Sequence, residues 1–299
     1  MVEQITLLFH FGNHIRMIKI GDIIANRYNV LSHLGTGGMA VVFECSDMYT
    51  DEIVAVKILK EELLDDPSMV ADFKREVKSS VQMSHPNIME IFSEGIWNNR
   101  PFLVLEYLKG ETLLDKIEFY TKFSVKESCQ IMTQLLDAIQ YTHDHKIIHR
   151  DIKPQNIFYL SNGTVKLGDF GIAKNEKEAE NHGKILGSVH FLAPEVLTGK
   201  PFSISSDIYA AGITFFQLVT GVLPFDGSTE EVADAQVKRE CPAPSNFSPL
   251  IPKDIDEIIF KALAKNPKNR YKNATEFKNA IQAFLSGKKQ KRSLFSRLF

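Results

Sequence analysis

The sequence has no dominant charge sign. Across 299 residues it carries 35 Lys and Arg against 37 Asp and Glu, a formal net charge of −2. A dedicated nucleic-acid binder would show a chain-wide basic footprint, and none is present; this leaves room for a local basic patch. Cysteine is scarce: Cys45, Cys129 and Cys241 stand far apart, with no CxxC pair and no metal-ligand spacing. So sparse and odd a count excludes a disulfide framework, fits a reducing cytoplasm, and reads as three small apolar side chains. No run reaches the roughly 18 apolar residues that a membrane-spanning helix requires. The N-terminal Ile5-Thr6-Leu7-Leu8-Phe9 is too short, and no basic leader or small-residue cleavage site accompanies it. Internal repeats and low-complexity linkers are missing too.

What is present is ordinary globular material, 44% hydrophobic and 24% charged, able to bury a core. The length suits one large domain or two intimate lobes. The text from Met17 onward already reads as the complete start of a domain, so residues 1–21 are taken as an N-terminal extension, with Met17 as an alternative start.

From residue 28 to about 108, short β-type runs recur: Tyr28–Leu34, Val41–Cys45, Ile53–Leu59, Ile88–Ile96 and Phe102–Tyr107, separated by turn residues such as Asn98-Asn99. A single helical stretch, Ser68–Met83, interrupts them and ends before His85-Pro86-Asn87. After Gly110 the pattern becomes helical. Within Ser124–His143, the apolar Ile131, Leu135, Leu136 and Ile139 share one helix face. Ser205–Thr220, Asp254–Lys265 and Ala274–Ser286 are further predicted helices. Two short strands, Asn156–Leu160 and Val165–Gly168, flank a Ser161-Asn162-Gly163 turn. The expected fold class is therefore α+β and bilobal: a small β-rich lobe with one main helix over 22–107, a hinge at 106–110, and a larger, mainly helical lobe over 111–286.

Four constellations carry chemistry. Gly35-Thr36-Gly37-Gly38-Met39-Ala40 joins two strands; glycines let backbone amides approach phosphate oxygens closely, although a plain turn is the alternative. A dinucleotide-binding fold needs a helix after the glycines, and here Val41-Val42-Phe43 continues as strand; a Walker loop needs Gly-Lys-Ser/Thr, which is absent. Lys57 ends the apolar strand Val54-Ala55-Val56. Such a lysine either snorkels to solvent or grips phosphate, held there by a carboxylate such as Glu76, nineteen residues on. In His149-Arg150-Asp151-Ile152-Lys153-Pro154-Gln155-Asn156, Asp151 is suited to accept a hydroxyl proton. Lys153 is suited to stabilise a phosphoryl group, and Asn156 to ligate a hard cation through oxygen. Asp169, thirteen residues after Asn156 and followed by Phe170-Gly171, supplies a carboxylate to the same cation.

In this order the motifs resemble those of the protein kinases: Gly-rich loop, VAVK, helix Glu, HRDxKPxN, DFG, then Ala193-Pro194-Glu195. The likeness extends over roughly residues 22–286. It implies that Gly35, Thr36, Gly37, Gly38, Met39 and Ala40 cover the phosphates of ATP. Leu34, Val42, Ala55 and Phe158 would sandwich adenine, Glu106 to Leu108 would bond its edge through backbone, and Leu105 would take the gatekeeper position. Lys57 and Glu76 become the activating ion pair, Asp151 the catalytic base, Lys153 the phosphate-stabilising lysine, and Asn156 and Asp169 the Mg²⁺ ligands, with Mn²⁺ as the alternative ion. Asp207 would brace the catalytic loop, and Arg270 would pair with Glu195. Lysine two positions after Asp151 resembles serine/threonine kinases. The Gly-Gly-Met-Ala loop and the opening IGDIIANRYNVLSHLG resemble bacterial kinases of the PknB/PrkC type, cytoplasmic domains acting on Ser and Thr of proteins.

The pattern is broken in places. Ala40 replaces the third glycine, which is tolerable where the backbone φ is negative. Between Phe170 and Gly187 no Ser, Thr or Tyr occurs, so switching by phosphorylation within 172–187 is not expected; Glu176, Glu178 and Glu180 read first as solvated charges, with a partnership to Arg150 as the alternative. Residues 287–299 combine a basic run with Leu294, Phe295, Leu298 and Phe299. That tail suits an anionic membrane surface, and a juxtamembrane linker or loose tail is the alternative. A homodimer through the small lobe is left open. Two rivals differ in class. A pseudokinase scaffold would lack Lys57, Asp151 or Asp169. A small-molecule kinase would lack Ala193-Pro194-Glu195.

Overall fold

The computed structural model describes residues 18–71, 73, 83–169 and 189–287. Its first half is an antiparallel sheet in the order β1-β2-β3-β4-β6-β5. The strands are β1 (Ile23–Ile24), β2 (Tyr28–Thr36), β3 (Ala40–Asp47), β4 (Ile53–Leu59), β5 (Ile91–Trp97) and β6 (Arg100–Glu106). Side chains alternate between the faces of a strand, and both faces of this sheet are apolar. One carries Val30, Phe43, Cys45, Val54, Val56 and Ile58. The other carries Ala40, Ala55, Leu59, Leu103 and Leu105, with Val42 beside them, and packs against Phe73. Phe73 is helical, as are residues 67–71.

Helices dominate the second half: α1 (Leu113–Tyr120), α2 (Val125–Asp144), α3 (Pro194–Leu197), α4 (Ile204–Thr220), α5 (Thr229–Lys238), α6 (Lys253–Ala262) and α7 (Ala274–Leu285). From Ser206 to Thr220 every residue of α4 is buried, so this helix is the axis of the lobe. Burial of Phe215 and Phe216 contributes about 1.5–3 kcal/mol each. Gly212 marks the closest approach of α4 to α6: a Cβ there would stand 2.8 Å from Leu263 Cδ2 and 2.9 Å from Ala262 Cβ. A small sheet, β7 (Gly110–Thr112), β8 (Ile157–Leu160) and β9 (Val165–Leu167), lies at the junction of the halves.

The bilobal expectation holds, with local corrections. The strand expected from Ile88 begins at Ile91; Ile88 instead makes an isolated bridge to Leu167, because the chain there is stitched to β9. Met83 lies outside any helix. The helix expected to reach Lys265 stops at Ala262, since Arg270 Nε takes the carbonyl of Ala264 at 2.8 Å and Arg270 Nη2 that of Lys265 at 3.2 Å. Three helices were not anticipated: α1, the single-turn α3 and α5. Of these, α1 and α5 open on a capping box, Thr112 with Asp115 and Ser228 with Glu231. The N-terminal extension and the tail beyond Gly287 lie outside the described residues.

Candidate active site

The sheet register brings the phosphate loop and the lysine together. Gly35 pairs with Val42, Val42 with Lys57, and Lys57 with Leu103, so the four form one row across β2, β3, β4 and β6. The loop is a tight hairpin closed by Gly37 N–H donating to Ala40 O at 2.9 Å. A Cβ at Gly35 or Gly38 would meet no protein atom within 4 Å, which is the room that phosphate oxygens need to reach the loop amides. Ala40 is a buried strand residue and is absent from the positive-φ residues, so its methyl sits without strain. Thr36 Oγ1 is occupied by His33 Nε2 at 2.8 Å, and Met39 O accepts from Lys60 N at 2.9 Å.

Two rows along, Ala55 lies between Glu44 and Leu105. Ala55 and Leu105 are buried, Val42 half-buried and Leu34 exposed. Phe158 enters from the other lobe, with Cε2 3.4 Å from where a Gly168 Cβ would stand. Glu106 closes β6, and Leu108 O accepts from Gly110 N at 2.9 Å in the connection to β7.

The catalytic loop is held by a buried carboxylate. Asp207 on α4 accepts from His149 N at 2.8 Å, Arg150 N at 3.0 Å and His143 Nε2 at 2.9 Å. Those bonds hold Arg150 at φ 70, a left-handed value that costs a non-glycine residue on the order of 1 kcal/mol or more. His149 is fully buried; its Nδ1 accepts from Asp151 N at 3.3 Å, so its Nε2 carries the proton and donates to Gly168 O at 3.1 Å. Burial pushes its pKa down, in keeping with a neutral ring.

Asp151, Lys153 and Asn156 converge. Lys153 Nζ stands 2.8 Å from Asp151 Oδ2, and Asn156 Nδ2 donates to Asp151 O at 2.8 Å and Oδ2 at 2.9 Å. With the amide nitrogen so committed, the side-chain oxygen of Asn156 is the atom that could meet a cation. Gly168 N donates to Asn156 O at 2.9 Å, which brings the next residue, Asp169, to the same place. Asp169 has φ 45, a second strained non-glycine position. Its carboxylate receives Lys57 Nζ at 2.7 Å across 112 positions of sequence. The Lys57 charge, foremost, holds the Asp169 carboxyl below the usual carboxylate range.

Among the described residues, no group of three or more His, Cys, Asp or Glu side chains has metal-holding geometry. One carboxylate and one amide oxygen suit Mg²⁺, which keeps several waters and takes phosphate oxygens for the rest. Glu76 and residues 170–188 lie outside the described residues, and with them the Lys57–Glu76 pair and the hydroxyl-free segment. Arg270 and Glu195 form the expected bidentate pair, both N–O distances being 2.7 Å. His143, unremarked in the sequence, joins the bracing of the catalytic loop; its place in the last turn of α2 was the available signal.

A family model for the protein kinase domain matches residues 28–282. The probable serine/threonine-protein kinase PknB of Lactococcus lactis is 39% identical over 264 residues, 87% of this chain and 42% of that protein. Serine/threonine-protein kinase PrkC of Bacillus subtilis is 38% identical over 266 residues, 88% of this chain and 41% of that protein. The chain thus spans about two-fifths of the length of these relatives. Among solved structures, the PknI kinase domain of Mycobacterium tuberculosis is similar in fold, with a TM-score of 0.72 at 24% identity, covering 89% of this chain and 99% of that one.

Proposed function

The chain belongs to the protein kinase domain family, and on that premise we propose that it transfers the γ-phosphoryl group of ATP to serine and threonine hydroxyls of proteins, with Mg²⁺ as the ion. The observation that carries the reading is the 2.7 Å approach of Lys57 to Asp169, one residue from each lobe. A cation at Asp169 and a polyphosphate at Lys57 would therefore be neighbours. Mg²⁺, when bound, would neutralise charge on the phosphates. Asn156 and Asp169 would hold that ion by oxygen. The amides of Gly35 to Ala40 cradle the phosphates, and Lys57 grips them from the sheet side. Asp151 takes the hydrogen bond of the incoming hydroxyl and accepts its proton. Lys153, 2.8 Å from Asp151, stabilises the negative charge of the group being transferred. Little covalent chemistry falls to the protein, so positioning and charge carry the rate.

Incubation with Mg·[γ-³²P]ATP and a generic basic protein tests this. The wild type is expected to label the acceptor, and Lys57→Met to lower labelling by about 10²-fold or more, in the range for loss of one charge aimed at the transferring group. Equal labelling by the two proteins overturns the reading. Nucleotide binding without labelling by the wild type favours a pseudokinase scaffold instead.

We also propose that the domain works in the cytoplasm, with residues 287–299 lying on the anionic inner membrane surface. No helix among the described residues is long and apolar enough to cross a membrane. Lys288, Lys289, Lys291, Arg292 and Arg297 would each contribute about 1 kcal/mol near anionic headgroups. Leu294, Phe295, Leu298 and Phe299 add apolar area. Co-sedimentation with phosphatidylserine-containing liposomes is expected for the full chain and not for a chain lacking 287–299. Equal sedimentation overturns the proposal.

A further inference from the structure

The hinge side chain Glu106 has a partner that the phosphoryl-transfer chemistry does not require. Its Oε2 accepts from Lys166 Nζ at 2.6 Å and from Glu90 N at 3.2 Å. Lys166 lies on β9, three residues before Asp169, and is paired in register with Phe158, the side chain expected under adenine. The two charged side chains are 14% and 26% exposed, so water and salt screen them less than a surface pair.

Backbone bonds close this contact into a ring. Glu106 N donates to Glu90 O at 2.9 Å, Met89 N to Leu167 O at 2.9 Å, and Leu167 N to Asn87 O at 2.9 Å. Lys166 Nζ also reaches Ile88 O at 3.5 Å. The hinge is thus fastened to residues 87–90, those residues to β9, and β9 back to the hinge through one ion pair. Two consequences follow from where the ring lies. Glu106 supplies backbone to the edge of adenine, and β9 runs directly into Gly168 and Asp169 at the cation. The ring therefore sets the spacing between the two ends of one nucleotide.

We propose that the Lys166–Glu106 ion pair is a positioning device for ATP, fixing the adenine-binding hinge at the distance from Asp169 that the Mg·ATP length demands. This rests on the kinase reading above. Neither side chain touches the reacting atoms, so the pair governs nucleotide affinity and leaves the transfer step to Asp151 and its neighbours.

Lys166→Met removes the cation while keeping an unbranched stem. Glu106→Gln removes the charge but keeps an acceptor for Glu90 N. The swapped double variant Glu106→Lys/Lys166→Glu restores opposite charges. Dissociation constants for Mg·ATP by calorimetry, and kcat with KM for ATP and for peptide, are measured for all of them, together with melting temperatures. Lys166→Met is expected to weaken ATP binding and raise KM for ATP about tenfold, in line with breaking one partner of a half-buried pair, with kcat at saturating ATP and peptide KM retained. Glu106→Gln should weaken ATP binding in the same direction, and the swap should bind ATP more tightly than either single variant. Wild-type ATP affinity in Lys166→Met overturns the proposal, whether or not its melting temperature falls. So does a loss confined to kcat, or a swap no better than the single variants. Should Lys166→Met not fold, Glu106→Gln carries the same test, and wild-type affinity there overturns it equally. A wild type that binds ATP without transferring phosphate sinks the kinase reading, and the dissociation constants still decide the positioning claim.

Discussion

Replacing Asp151 with asparagine is expected to lower kcat by about 10²–10⁴-fold, the usual contribution of a positioned general base. The side chain keeps its shape and its capacity to accept from Asn156 Nδ2, now 2.9 Å away, and from Lys153 Nζ, now 2.8 Å away. The loop geometry should therefore survive, because it is set by Asp207 and His149 rather than by the Asp151 carboxylate. What is lost, on the proposed mechanism, is the basic oxygen that takes the hydroxyl proton. Calorimetry with Mg·ATP separates the two effects: nucleotide affinity stays near that of the wild type while single-turnover phosphorylation collapses. A variant that turns over at the wild-type rate would remove Asp151 from the mechanism.

Strain in the catalytic loop points the same way. Arg150 and Asp169 both hold positive φ without being glycine, and each is adjacent to a residue held by buried hydrogen bonds, His149 in one case and Gly168 in the other. His149 Nε2 bonded to Gly168 O ties the two strained points to each other. The loop bearing Asp151 and the turn bearing Asp169 are therefore joined by a buried hydrogen bond.

Most of the site was legible in the sequence because its chemistry lies in short, tightly spaced motifs. Between Asp151 and Asn156 only four residues intervene, so local backbone geometry dictates their convergence. That Lys57 and Asp169 share a site was legible only through resemblance, which gave Lys57 the partner Glu76; the direct contact between residues 112 positions apart was not anticipated. Helices α1 and α5 were missed although their capping boxes are in the text; each is short, and α5 has few apolar residues to display a period. The end of α6 could not be seen, because it is decided by the guanidinium of Arg270 arriving from outside the helix. Glu106 was expected at the hinge through its backbone, and nothing in the sequence joins its side chain to Lys166. Only the bonding of both β9 and the hinge to residues 87–90 makes them partners.

The second large effect concerns stability. Arg270→Met is expected to destabilise the fold by about 3–5 kcal/mol, the range for breaking a buried ion pair by removing one partner. At this size that corresponds to a melting temperature lower by roughly 10 °C. The Arg270 side chain is 0% exposed and Glu195 6% exposed, so neither charge has water to turn to. The guanidinium serves three elements at once. It grips Glu195 on α3 with both terminal nitrogens, donates to Ser205 O at 2.8 Å on α4, and covers the carbonyl of Ala264 just past α6. It also stacks over the Tyr209 ring, 4.7 Å from its centroid. Methionine fills much of the volume but leaves a buried carboxylate and several carbonyls unpaired, and that uncompensated charge dominates the loss. The double variant Arg270→Met/Glu195→Leu removes it and is expected to melt above Arg270→Met alone, as replacement of a whole buried pair by apolar groups usually costs less than halving it. Differential scanning calorimetry on the three proteins checks the order. A single variant losing under about 1 kcal/mol, the range of an exposed pair, would mean that α3, α4 and α6 are held together by packing alone.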